Sequence, residues 1–225
     1  MTCRIDLRSI ALCVTLVAGA CAQLGCDALG AASYLAFGPE KVPAMVELER
    51  GRKTVVFIDD RYSVAPTRPI RQLIGTTAEQ RLVENAGLDP AQLVSSITAS
   101  QVAQQERFGE PMSVPEIAEA VGADIVIFVT IDEFSMSPDG SSFKPEAHMR
   151  VSVVDAAADE RLWPDTTSRY RLIASPNVRR LNPPQTIGEA RRVERQIATE
   201  AGEAIAKLFY AHAGREVSEL LGREE

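Results

Sequence analysis

Two runs of consecutive apolar, β-branched residues dominate the pattern of the chain. Thr54-Val55-Val56-Phe57-Ile58 ends in Asp59-Asp60, and Ile125-Val126-Ile127-Phe128-Val129-Thr130-Ile131 ends in Asp132-Glu133. A strand without a polar face must be covered on both sides, so both runs predict central strands. After a turn at Pro138-Asp139-Gly140 the pattern changes to alternation. Phe143, Pro145, Ala147, Met149, Val151 and Val153 share one face, and Lys144, Glu146, His148, Arg150 and Ser152 the other. This predicts an antiparallel hairpin with one solvated face. Arg161-Leu162-Trp163, and Tyr170 with Leu172 and Ala174, supply strand material towards one edge.

Between the strands the period becomes helical. Ile70, Leu73, Ile74, Ala78 and Leu82 recur on one stripe that Gly87 ends. A short strand, Leu93 to Ile97, is expected to lead into a helix carrying Val102 and opened by a capping box of Thr98 and Gln101. Ser113 and Glu116 repeat the device for a helix through Ile117, Ala120 and Val121, stopped by Gly122. Thr186 and Glu189 make a third box, opening a long helix with Ala190, Val193, Ile197, Ala201, Ala204, Ile205, Leu208 and His212 on one side. Interleaved strands and helices predict an α/β (α+β) class. The expectation is a single domain whose mixed sheet of about five strands is flanked by helices, with a long C-terminal helix.

Composition changes this little. The chain is 45% hydrophobic and 24% charged, as globular domains are, and a net charge of −7 leaves no chain-wide basic surface for nucleic acid. The cysteines change it more. Cys3, Cys13, Cys21 and Cys26 are the whole complement, so the body holds no thiolate nucleophile, zinc–thiolate site or disulfide framework. Arg4 and Arg8, an apolar stretch from Ile10 to Ala20 and the small residues Ala18-Gly19-Ala20 have the layout of a secretory signal peptide. The apolar stretch is too short to remain as a spanning helix.

The junction Ala18-Gly19-Ala20-Cys21 resembles the lipobox of bacterial lipoproteins, with Ala18 where Leu is usual. The resemblance implies cleavage before Cys21, transfer of diacylglycerol to its thiol and acylation, palmitate included, of the new amino terminus. An ordinary secretory leader cut near Ala20 or Ala22 is the alternative. A second junction, Gln23-Leu24-Gly25-Cys26, is followed by Asp27, the signal for inner-membrane retention in some lipoproteins; Cys21 is followed by Ala22. Lipidation at Cys21 therefore points to the periplasmic face of the outer membrane. The expected organisation is a signal peptide over 1–20, a lipidated amino terminus and tether over 21–45, a periplasmic α/β domain over 46–213 and a charged tail over 214–225.

Candidate chemistry is sparse. Asp59, Asp60, Asp132 and Glu133 would suit a glycosidase pair or a hard-cation site if they converged, and suit strand termini and turn caps if they did not. They superficially resemble the acidic pocket of a receiver domain. That reading fails on the missing lysine at a later strand end, the long interval from Asp60 to Asp132, and the leader. His148 lies on the polar side of the alternating strand and His212 is expected to end the last helix, neither with an acid or hydroxyl partner at meaningful spacing. No glycine-rich phosphate loop follows the first strand. No catalytic residue, cofactor or metal is expected.

Charge is unevenly spread. Gln104 to Asp165 carries 13 acids and 4 bases, whereas Arg169 to Arg195 carries seven arginines and two glutamates. Arg179, Arg180, Arg191, Arg192 and Arg195 are the candidate partner-binding residues, with pairing to the domain's own acids as the alternative.

The order of elements and three short motifs carry a resemblance. These are Gly122-Ala123-Asp124 before an apolar strand, Val153-Val154-Asp155-Ala156, and Leu162-Trp163. They resemble small uncharacterised bacterial lipoproteins. More distantly, they resemble the periplasmic domains grouped with the curli-secretion lipoprotein, the penicillin-binding-protein activator lipoprotein and the amino-terminal domain of the Tol-system β-propeller protein. Ala158-Asp159 stands where those motifs have a turn glycine. The resemblance implies a non-enzymatic binding and assembly module that meets an envelope protein or polymer. It transfers no catalytic residue. A homo-oligomer is left open, and a lipid-anchored enzyme or ligand- or metal-binding domain using the four strand-end acids is the competing class.

Overall fold

The computed structural model describes residues 41–105, 111–177 and 182–213. The chain divides into two units, residues 43–211 and the two ends outside them. In the second unit the described residues form one small ladder, β1 (Lys41–Val42) antiparallel to β8 (His212–Ala213).

The larger unit is a mixed sheet between two layers of helix. Its elements in order are β2 (Thr54–Asp59), α1 (Arg68–Asn85), β3 (Leu93–Val94), α2 (Ser96–Ala103) and α3 (Val114–Val121). There follow β4 (Ile125–Ser135), β5 (Glu146–Asp155), β6 (Glu160–Trp163), β7 (Tyr170–Ala174) and α4 (Ile187–Lys207). Six strands form the sheet, in the order β3-β2-β4-β5-β6 with β7 also paired to β5. β2 pairs parallel with both β3 and β4, while β5 pairs antiparallel with β4, β6 and β7. A parallel pair needs a long crossover, which α1 to α3 supply between β2 and β4. The short turn after β4 suffices for the antiparallel partner.

The unbroken apolar runs reflect two cores. Val56 and Ile58 of β2, Ile127 and Val129 of β4, and Met149 and Val151 of β5 pack under Ile74 and Leu82 of α1 and Ile197 and Ile205 of α4. The intervening residues, Val55, Phe57, Val126 and Phe128, pack under Ala99 of α2 and Ile117 and Ala118 of α3. Each fully buried aliphatic side chain stabilises the fold by about 1.5–3 kcal/mol. The first helical layer extends across β5, whereas the second covers only the β2–β4 part of its face.

Helix ends show where local rules suffice. Ser113 caps α3 with a complete box: the Ser113 amide donates to Glu116 Oε2 (2.7 Å) and the Glu116 amide to Ser113 Oγ (3.4 Å). Gly122 ends that helix at φ +70°, a left-handed conformation costly to residues with a Cβ. At α4 the box is half formed. The Glu189 amide donates to Thr186 Oγ1, but the Glu189 carboxylate accepts from the Gln185 amide instead of the Thr186 amide. Three expectations are corrected. The strand at Leu93 stops at Val94, and α2 starts at Ser96 with Thr98 and Gln101 already inside it. Its first amide, that of Ser96, is taken by the Glu79 carboxylate from α1, so a tertiary contact replaces the local cap. The last helix ends at Lys207, and His212 belongs to β8.

Candidate functional site

Asp59 and Asp60 close β2 as expected, but Asp132 and Glu133 lie inside β4, which runs on to Ser135 through the pairing with β5, and the four acids are each engaged separately. Asp59 forms an ion pair with Arg61 (2.9 Å), and Asp132 clamps Arg150 through both carboxylate oxygens (2.6–3.0 Å). Asp60 is buried and accepts the amides of Val64 (2.7 Å) and Ala65 while pairing with Arg71 (3.3 Å), so it folds the turn into α1. Glu133 faces His148 Nδ1 at 3.6 Å. Among the described residues there is no group of three or more His, Cys, Asp or Glu side chains placed to hold a metal ion.

His148 has the acid partners that sequence spacing did not reveal. Its Nε2 lies 2.8 Å from Glu146 Oε1, two residues along the same face, and Glu133 is its cross-strand neighbour. Burial raises the pKa of Glu146, but hydrogen bonds from Lys144 and His148 outweigh it and leave the carboxyl below its ordinary value. A bulge between Ile131 and Glu133 places these groups. The extra residue, Asp132, keeps Ile131 in the core while Glu133 joins His148 on the opposite face.

The recurrent motif aspartates are structural. Asp124 Oδ2 accepts the Lys53 amide (2.8 Å), joining the starts of β2 and β4. Asp155 pairs with Arg52 (2.8 Å) and accepts the amides of Ala157 and Ala158. In the turn that follows, Asp159 has φ +50°. The left-handed conformation of a turn glycine is therefore retained, by one of the residue types that tolerate it.

Where α2 and α3 leave the sheet uncovered, a cleft of about 370 Å³ opens. Phe128, Ser152 and Val154 form its floor, the first turn of α3 from Ser113 forms one wall, and Arg161, Arg169 and Asp159 form the other. Strand pairing creates this grouping. Ser152 lies opposite Phe128, and Arg161 opposite Val154, so all four share the face that carries Arg150 and its neighbour Arg171. The guanidinium of Arg169 sits 4.3 Å above the centre of the Phe128 ring, a cation–π contact. Burial, then the charges of Arg150 and Arg161, lower the pKa of Arg169 from its ordinary value. Arg161 donates to the backbone oxygens of Thr166 (3.1 Å) and Thr167 (3.0 Å). Among the described residues neither Arg161 nor Arg169 forms an ion pair, whereas Arg61 and Arg150 on the same face do.

The arginines singled out by charge counting lie elsewhere. Arg191, Arg192 and Arg195 are exposed on α4, which covers the other face of the sheet. Arg179, Arg180 and Cys21 lie outside the described residues. The positive segment of the sequence also contains Arg169 and Arg171. The signal that sets Arg169 apart is not its charge but the strand pairing that brings Phe128 and Arg161 beside it.

No family model matches the chain, and no curated protein matches it. Several solved structures share a distant likeness. The PelC dodecamer from Paraburkholderia phytofirmans is 15% identical over 75% of this chain and 93% of its own, with a TM-score of 0.42. Lipoprotein GNA1162 from Neisseria meningitidis is 14% identical over 65% of this chain and 96% of its own, with a TM-score of 0.37. A hypothetical protein, CT253, from Chlamydia trachomatis is 18% identical over 69% of this chain and 98% of its own, with a TM-score of 0.36.

Proposed function

We propose that this chain is an acylated envelope lipoprotein, anchored through Cys21 at the periplasmic face of the outer membrane, whose α/β domain binds other components and catalyses nothing. The observation that carries the binding reading is the fate of Asp59, Asp60, Asp132 and Glu133. Each is held by a partner of its own, and three of those partners are arginines that occupy the carboxylate. A glycosidase pair or a metal cage needs carboxylates that converge and have capacity left. The anchor rests on Ala18-Gly19-Ala20-Cys21. Several acyl chains, at about 0.8 kcal/mol per buried CH₂, make such attachment stable. Among the described residues no helix is long and apolar enough to cross a membrane, so the lipid carries the attachment in this reading.

The test of the anchor is processing. Globomycin is expected to cause accumulation of the uncut precursor, and Cys21→Ser is expected to release the chain from washed outer membranes. Normal processing and membrane partitioning of that variant would refute it. The partner is sought by crosslinking and affinity capture from membranes. Unchanged capture after charge reversal of Arg179, Arg180, Arg191 and Arg192 would remove those residues from the interface.

A further inference from the structure

We propose that the cleft over Phe128 is an anion site that seats a phosphoryl group between Arg161 and Arg169. The inference rests on the reading of the domain as a binding module and gives that module a ligand class. Five arginines, 61, 150, 161, 169 and 171, gather on one sheet face; Arg171 is exposed and lies outside the cleft, and the domain neutralises two of the remaining four with Asp59 and Asp132. The other two flank a concave space and have no carboxylate at ion-pair distance among the described residues. A half-buried guanidinium beside the charges of Arg150 and Arg161, which Asp59 only partly offsets, is an energetic deficit that a bound anion removes. Phe128 below holds the guanidinium of Arg169 in place, so the cation is presented with little further ordering.

The features of the cleft select among anions. Two unmatched guanidiniums call for about two negative charges, and a phosphate monoester carries about −1.5 to −2 at neutral pH with three strong acceptor oxygens. A carboxylate supplies one charge and two oxygens. The space of about 370 Å³ admits a phosphoryl group with a small organic appendage, such as a glycerol unit, and is too small for a folded partner. Asp159, in the same wall as the two arginines, opposes any anion. It therefore sets the affinity without making the site.

Isothermal titration of the full chain in a neutral detergent, at constant ionic strength, tests the site with inorganic phosphate, glycerol 3-phosphate and acetate. The phosphoryl ligands are expected to saturate one site and acetate not to. Arg161→Gln and Arg169→Gln are each expected to weaken binding about tenfold, the loss of one charge-assisted contact. Arg191→Gln with Arg192→Gln leaves binding unchanged. Asp159→Asn, which suits the left-handed backbone, tightens it, and affinity rises with pH through about 6 as the second phosphate proton leaves.

Native mass spectrometry from nanodiscs of equal phosphatidylglycerol and phosphatidylcholine separates the sources. Arg169-dependent retention of phosphatidylglycerol identifies a lipid headgroup; its absence with soluble binding intact identifies a free phosphate compound. No saturable phosphate binding, or equal binding by a folded Arg169→Gln chain, overturns the proposal. Weaker or unchanged affinity of Asp159→Asn does so as well. Hydrolysis of the phosphate ester would instead refute the non-enzymatic reading and leave the site standing, and the anchor is tested separately by Cys21→Ser.

Discussion

The close approach of α1 and α4 gives a prediction whose sign opposes intrinsic propensity. Gly202 lies inside α4, where replacing glycine by alanine ordinarily stabilises a helix by about 1 kcal/mol. Here a Cβ would stand 2.6 Å from Ile74 O, 2.6 Å from Thr77 Cβ and 3.0 Å from Ala78 N. Two of these atoms are backbone and the third is fixed close to it, so the helices must separate. Overpacking costs typically about 1–3 kcal/mol, and here it also loosens burial of Ile74, Ala78, Ile197 and Ala201 on the same interface. Gly202→Ala is expected to destabilise by a net of about 1–2 kcal/mol, lowering Tm by about 2–8 °C for a domain of this size. Gly188→Ala provides the control in the same helix. The nearest atom to its Cβ is Thr186 Oγ1 at 4.0 Å, and there propensity should prevail with a gain of up to about 1 kcal/mol. Urea unfolding of both variants, with equal m-values, is the measurement. A Gly202→Ala chain as stable as the parent would refute close packing of α1 on α4.

Three further outcomes follow from the buried carboxylates. Asp60→Ala leaves the Val64 and Ala65 amides without their acceptor and the half-buried Arg71 without its carboxylate, and is expected to cost about 3 kcal/mol in urea unfolding; Asp132→Ala, at an exposed pair, costs less than about 1 kcal/mol. Glu79 has its pKa raised by burial, against the Ser96 amide that lowers it. The folded state thus holds this proton more tightly, so its stability relative to Glu79→Gln declines as pH rises above the unfolded value near 4.5, a trend measurable by urea unfolding from pH 4 to 8. Glu146 has the opposite sign. Its lowered pKa means stability present above the unfolded value and lost as pH falls through the folded one, so Glu146→Gln should flatten the acid side of the stability profile.

Periodicity was enough to locate most elements, because strand and helix patterns are set by which faces are buried. The runs at Thr54 and Ile125 are β2 and β4, the alternation is β5, and Ser113 with Glu116 is a complete capping box. The start of α2 was illegible for a physical reason. Its first donor is satisfied by Glu79, 17 residues away on another helix, and Ser95 makes no side-chain cap at all. The same limit governs the site. Arg161 and Arg169 meet Phe128 only through the β4-β5-β6 register, and His148 meets Glu133 only across a bulged ladder. Charge counting could find the arginine-rich segment, but it could not tell the exposed face of α4 from the sheet face behind it.

The bulge has a consequence for how this surface can change. Asp132 is the one residue of β4 that the ladder skips: Ile131 pairs with Met149 and Glu133 with His148, so the register of the core is complete without it. Among the described residues its carboxylate serves Arg150 alone. A single-residue deletion there would leave the apolar phase of the strand intact and release one more positive charge towards the cleft. The electrostatic character of the face and the integrity of the core are thus separable by one codon, and a lineage could retune the anion affinity of this domain without re-solving its fold.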